Sequence, residues 1–219
     1  MPRTACLFLL LALPLAAQAL CTSDDVPPSA ALLERFISAD CAECWRDRAT
    51  PQPGKDTLVL DWIVPGLKGE NAPLSAVASL DAMERLRYLK EPTPQRSSSV
   101  TSRRQGDPAP LRLAQGDAFN DYVGTSMELK EHAGDAWRAW LVLVEKLPAG
   151  TEGSPVARNL VRNVVRPEWA NTVGRGPGRL AETRAMQIHV GANPERLRLV
   201  AVLQDGRGRI RAITQTECP

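Results

Sequence analysis

Phe36-Ile37-Ser38-Ala39-Asp40-Cys41-Ala42-Glu43-Cys44-Trp45 places two thiols three positions apart, right after an apolar run that reads as a strand. Leu32, Leu33, Phe36 and Ile37 give the strand Ala30 to Ser38 its apolar content, and Ser38 to Asp40 is a polar turn from which a helix can start at or near Cys41. Unpaired backbone N–H groups and the helix dipole would then favour a Cys41 thiolate, lowering its pKa from about 8.5 toward neutrality. A thiolate attacks disulfides, and Cys44, one helical turn on, stands where it can resolve the mixed disulfide that follows. The expected roles are therefore Cys41 as nucleophile, being the N-terminal and more exposed of the pair, and Cys44 as resolving thiol. Glu43 opposes thiolate formation by its charge while Arg46 and Arg48 favour it, which leaves the net sign open. The plainer alternative is a structural disulfide on a binding protein, although so small a loop gives little entropic stabilisation.

The chain has 219 residues and a formal net charge of +2, a balance that does not suggest a nucleic-acid partner. Arg3, the apolar run Leu7 to Leu15 and Ala17-Gln18-Ala19 make a secretory signal, residues 1–19, with cleavage after Ala19. The expected product is periplasmic or secreted, with no membrane span, since no later segment approaches the ~20 apolar residues a span needs. Cys6 leaves with the signal, and Cys21, Cys41, Cys44 and Cys218 remain for an oxidising compartment. Cys21 and Cys218 lie at the two ends, where a structural disulfide would tie the termini together. Acylation of Cys21 is the rival, opposed by Leu20 where lipoprotein signals carry a small residue. A four-cysteine zinc site is disfavoured because only Cys41 and Cys44 have ligand-like spacing.

Pro51-Gln52-Pro53-Gly54 stops the cysteine helix within about three turns. Thr57 to Val64 is a nearly continuous apolar run, the pattern of a strand buried on both faces, and two parallel strands joined by a helix follow. Leu74, Val77, Ala78, Leu80, Met83, Leu86 and Leu89 predict a helix over Leu74 to Lys90, opened by Pro73 and ended by Pro92. Glu91 to Pro110 reads as a linker with at most one weak strand. Beyond it, Leu111 to Ala114, Tyr122 to Lys130, Trp137 to Lys146, Val156 to Arg166, Arg184 to Val190, Arg196 to Gln204 and Arg209 to Thr216 are β-compatible runs, with helix an alternative for Val156 to Arg166. Asp205-Gly206-Arg207-Gly208 is the clearest hairpin turn.

Three motifs resemble a secreted thioredoxin-like family, domain of unknown function 1223. Phe36-Ile37-Ser38-Ala39-Asp40-Cys41-Ala42-Glu43-Cys44 is similar to the family's Phe-Thr-Ser-x-x-Cys-x-x-Cys, and Thr93-Pro94-Gln95 to its Thr-Pro-Gln. Arg162-Asn163-Val164-Val165-Arg166, with Ala201-Val202-Leu203-Gln204 and Gly208-Arg209-Ile210, is similar to its closing strands. The resemblance implies an α/β (α+β overall) fold, with a thioredoxin-like half over residues 30–100 and an antiparallel β-sandwich over 108–219, and it makes Pro94 a cis-proline facing the cysteines. The chain departs from the family in having no His near Asp61-Trp62-Ile63-Val64, and in the polar Arg96-Ser97-Ser98-Ser99 after Pro94.

Thiol–disulfide exchange on exported protein thiols or disulfides is the leading expectation, with Cys41, Cys44 and Pro94 as its residues and no cofactor. A non-enzymatic binding or assembly scaffold is the alternative. Copper delivery through the two thiolates lacks a nearby Met or His. Asp61 is either a buried carboxylate assisting proton transfer or, more plainly, an edge or solvent-facing residue; Trp45 either shields the site or packs. His132 and His189 read as surface or strand residues. Arg103-Arg104 and the stretch from Arg166 to Arg184 read as solvated loops, and Gly174-Arg175-Gly176-Pro177-Gly178 lacks the Lys-Ser/Thr of a phosphate loop. Direction of redox flow and oligomeric state are not encoded in any motif.

Overall fold

The apolar runs on either side of the cysteine turn pair as parallel neighbours: β2 (Ala31–Ser38) lies beside β3 (Thr57–Val64), from Ala31 with Thr57 to Ser38 with Val64. The computed structural model describes residues 21–132, 136–169 and 178–219. The expected signal at 1–19, residues 174–177 of the glycine-rich stretch and the His132 side chain lie outside the described residues. The remaining strands are β1 (Cys21–Thr22), β4 (Ser97–Arg103), β5 (Leu111–Phe119), β6 (Tyr122–His132), β7 (Trp137–Leu147), β8 (Arg158–Val165), β9 (Glu168–Trp169), β10 (Gly178–Gln187), β11 (Leu197–Asp205) and β12 (Ile210–Gln215). The helices are α1 (Ala42–Trp45) and α2 (Leu80–Leu89). No helix among the described residues is long and apolar enough to cross a membrane.

The strands form two sheets. One has the order β1-β5-β6-β10; the other runs β12-β11-β7-β8-β3-β2-β4, with β9 paired to β7. In the larger sheet β3 is parallel to both β2 and β8, and its other pairings are antiparallel. Alternation along each strand sorts the core into faces. Leu58, Leu60, Trp62 and Val64 of β3 join Trp140 and Val142 of β7 under Ala82 and Leu86 of α2. On the opposite face, Leu141 and Leu143 of β7 and Leu199 and Ala201 of β11 pack against Leu113, Met127 and Leu129 of the smaller sheet. That same face, farther along at β2, β3 and β8, carries Ile37, Ile63 and Leu160 against Cys41, Cys44 and Trp45.

The expected thioredoxin-like α/β fold does not hold. Among the described residues, strands make up 48% and helices, 3₁₀ turns included, 12%, with two sheets and two α-helices. Strands from both sides of residue 100 share the larger sheet, and the segment expected to supply a long helix splits. A single 3₁₀ turn covers Ser75–Val77, Ala78 is extended at φ −73° and ψ 137°, and helix resumes only at Leu80. Leu74, Val77 and Ala78 pack instead on the cysteine cluster, so their helical spacing reflects burial of two separate pieces. Val156 to Arg166 holds a strand, β8. The stretch read as a linker contains β4, which pairs antiparallel with β2 although five of its seven residues are Ser or Thr.

The Ser79 hydroxyl accepts a hydrogen bond from the Asp81 N–H and caps α2, which Lys90 closes with a left-handed φ of 61°. Ser79→Ala is expected to cost about 1 kcal/mol in urea unfolding. The β11–β12 hairpin turns at Asp205, whose carboxylate accepts bonds from the Arg207 and Arg209 N–H groups and from Arg209 Nε. Burial alone would raise the Asp205 pKa, but the bonds from Arg209 and the two backbone N–H groups together hold it below the ordinary value. A depressed carboxylate adds stability above its unfolded pKa and loses it as pH falls through the folded one. Asp205→Asn is therefore expected to flatten the acid side of the stability profile below about pH 4, measured by urea midpoints at stepped pH.

Candidate functional site

Ser38 ends β2, and its hydroxyl accepts from the Asp40 N–H while its carbonyl accepts from the Cys41 N–H, turning the chain sharply. The Asp40 carboxylate accepts from the N–H groups of Leu67 and Lys68, which ties this turn to the loop after β3. Gly66 makes that approach possible: a Cβ there would stand 2.4 Å from the Asp40 carboxyl. Cys41 caps the single turn of α1, as its position after the polar turn led one to expect, and is disulfide-bonded to Cys44. One helical turn supplies a much weaker dipole than a long helix. Both cysteines are buried, Cys41 at 3% and Cys44 at 7% relative exposure, so Cys41 is not the more exposed of the two.

Beneath the disulfide lies a cluster of charges. Arg35 and Asp61 face each other across the parallel register of β2 and β3. Asp61 Oδ1 accepts from Arg35 Nε at 2.7 Å and Arg158 Nη1 at 3.0 Å, and Oδ2 accepts from Arg35 Nη2 at 2.6 Å and the Asn159 N–H at 2.9 Å. Asp61 is fully buried rather than edge or solvent-facing, and its four bonds fit an anchor, not a proton shuttle. The guanidinium groups also hold the chain that follows Cys44. Arg158 Nη2 donates to the Trp45 carbonyl and the Thr50 hydroxyl, and Arg35 Nη1 donates to the Pro51 carbonyl. The Arg158 guanidinium lies 4.8 Å over the Trp45 ring, whose Nε1 donates to the Glu152 carbonyl. Trp45 thus packs and braces. Burial pushes the Arg158 pKa down, with the nearby Arg35 charge adding to that effect and Asp61 opposing it.

The segment after Pro94 meets the cysteine turn. The Ser38 N–H donates to the Arg96 carbonyl, and Arg96 Nη1 donates to Glu43 at 2.9 Å. The Glu43 carboxyl sits below its ordinary pKa, held first by its own backbone N–H and then by Arg96 and Lys68. Glu43 is thereby matched by Arg96, a partner not foreseen. Pro94 is half-buried, and its expected cis geometry is not found: every peptide bond among the described residues is trans. Beside Cys44 opens a cavity of about 220 Å³ that Arg35, Arg158, Asp47 and Ser97 to Ser99 also line. Arg35 and Arg158 carried a legible signal only in part, since Glu34-Arg35 interrupts an apolar strand but Arg158 reads as a charge at the end of a run.

Cys41, Glu43 and Cys44 bring three donor atoms within 4.8 Å of one another. With the sulfurs bonded together and Glu43 paired to Arg96, that trio is not set up as a ligand set. Cys21 and Cys218 form the second disulfide, as expected, which uses the Cys21 sulfur and leaves no four-cysteine cluster. His189 is exposed. No family model matches the chain and no curated protein matches it. A crystal structure of a protein from Agrobacterium tumefaciens is similar with a TM-score of 0.44 and 13% identity, covering 87% of this chain and 94% of that one. At that level neither fold nor role transfers.

Proposed function

We propose that this is an exported protein, periplasmic or secreted, that carries out thiol–disulfide exchange on other exported proteins through Cys41 and Cys44. One observation carries the reading. A disulfide that closes too small a loop to add much stability is held on a single helical turn, strapped to the sheet by Arg35 and Arg158, with Cys44 among the residues that line a cavity. Membership of the secreted family that the three motifs resemble is part of the same proposal and rests on those motifs alone. The test is trapping. Cys41→Ser and Cys44→Ser single variants are expected to accumulate mixed disulfides with exported partners, and the double variant none. If neither single variant does so and the wild type leaves a model disulfide unchanged, the reading fails.

A second reading has its own support. Both cysteines are buried within an apolar cluster, as an inert disulfide on a binding scaffold would be. Equal capture of one partner by the wild type and by the Cys41→Ser/Cys44→Ser variant would favour it.

A further inference from the structure

The cavity beside Cys44 has a composition that the exchange reading does not require. Two guanidinium groups, Arg35 and Arg158, line it, and the single carboxylate buried with them is Asp61, so the buried cluster carries an uncompensated positive charge. Neither guanidinium is saturated. Arg35 Nη1 makes one bond, to the Pro51 carbonyl at 3.1 Å, and Arg158 Nη1 makes one, to Asp61 at 3.0 Å, while each such nitrogen carries two N–H donors. Ser97 and Ser99 of β4 stand opposite Ile37 and Arg35 in register, on the same face of the sheet, and their hydroxyls have no partner among the described residues. At about 220 Å³ the cavity is below the size of sites for drug-like molecules and suits one small group. The opposing charge is Asp47, at the exposed rim, where solvent and salt screen it more than the buried pair.

From this we infer that the cavity is an anion subsite: Cys44 is the sulfur that meets the substrate, and the preferred substrates are disulfides or thiols with a carboxylate a few bonds from the sulfur. The inference rests on the exchange reading for its substrate class, but the subsite itself is tested without exchange. In the reaction, the Cys44 thiolate attacks the near sulfur of the anionic disulfide, that S–S bond breaks, and the departing thiolate takes up a proton. Cys41, giving up its own proton, then attacks the Cys44 sulfur. This re-forms the Cys41–Cys44 bond and releases the second thiol, so the substrate disulfide gains the two electrons that the protein dithiol loses.

Alkylation reads the subsite directly, because the thiolate displaces iodide from either iodoacetate, which is anionic, or iodoacetamide, which is neutral. The reduced full chain is treated briefly with each reagent, and the modified cysteine is identified by peptide mass. Cys44 is expected to react before Cys41, with an iodoacetate-to-iodoacetamide rate ratio about 5-fold or more above that of N-acetylcysteine. Ser99→Asp places a carboxylate opposite Arg35 and is expected to bring the ratio down toward the free-thiol value, whereas Asp47→Asn raises it. A wild-type ratio equal to that of N-acetylcysteine, or Cys41 reacting first, overturns the inference. Selective alkylation of Cys44 in a protein that exchanges no disulfide would remove the exchange reading and leave the subsite standing.

Discussion

Asp61→Ala is expected to cost about 3–5 kcal/mol of unfolding free energy, the largest loss of any single substitution considered. The removed carboxylate takes four hydrogen bonds in the interior, and without it Arg35 and Arg158 remain buried with like charges facing each other. Both guanidinium groups are almost wholly buried and border water at the small cavity beside Cys44, close to the junction of β3 and β8, which holds a single parallel register pair, Asp61 with Leu160. The penalty is therefore desolvation of two unpaired cations, not loss of a favourable bond. A second comparison separates these. Replacing all three groups together with apolar residues, Arg35→Met/Asp61→Leu/Arg158→Met, is expected to destabilise less than Asp61→Ala alone, since no charge is then stranded. Urea unfolding of the variants measures both, and a loss below about 1 kcal/mol for Asp61→Ala would show that the cluster is solvated. Because Arg158 also holds the Trp45 carbonyl and Thr50, the same substitution should loosen the turn that carries Cys44.

The second large effect belongs to the ends of the chain. Cys21→Ser/Cys218→Ser is expected to lower stability by up to about 5 kcal/mol in the chain-entropy view, because the crosslink spans nearly the whole sequence. Thr22 and Glu217 already exchange backbone hydrogen bonds beside the disulfide, and Thr22 also pairs with Ala114 of β5. These contacts preserve the native join once folded, so the loss should appear mainly through the freed unfolded chain. Urea midpoints of the oxidised wild type and the double variant give the answer. A difference under about 1 kcal/mol would mean that the unfolded ensemble is held together by other means.

Much of this architecture was legible locally. Thr57 to Val64 forms the doubly buried strand that its nearly continuous apolar run indicates, and the Asp205 turn joins β11 to β12 as its residues suggest. The cysteine arithmetic also led to the pairing of Cys21 with Cys218. What local pattern could not carry was long-range register. Asp61 in an apolar strand meets Arg35, 26 residues away, only once β2 and β3 are set in register, and Arg158 only when β8 arrives from 97 residues away. Glu34 likewise waits for Arg85 on α2, 51 residues on, and for the Trp62 indole; Glu145 pairs with Arg162 on the neighbouring strand. Each of these charges looks like a solvent-facing residue from its neighbours alone. The thioredoxin-like expectation failed for a related reason: a Cys-x-x-Cys turn between two strands fixes a local crossover but says nothing about which strands complete the sheet.

The most direct test of the central claim is the reduction potential of the Cys41–Cys44 pair, obtained by equilibrating the protein against glutathione buffers and counting alkylated thiols by mass. Exchange chemistry predicts a value between about −120 and −270 mV, the range of known exchange catalysts. A value below about −300 mV would mark an inert structural disulfide and contradict the account.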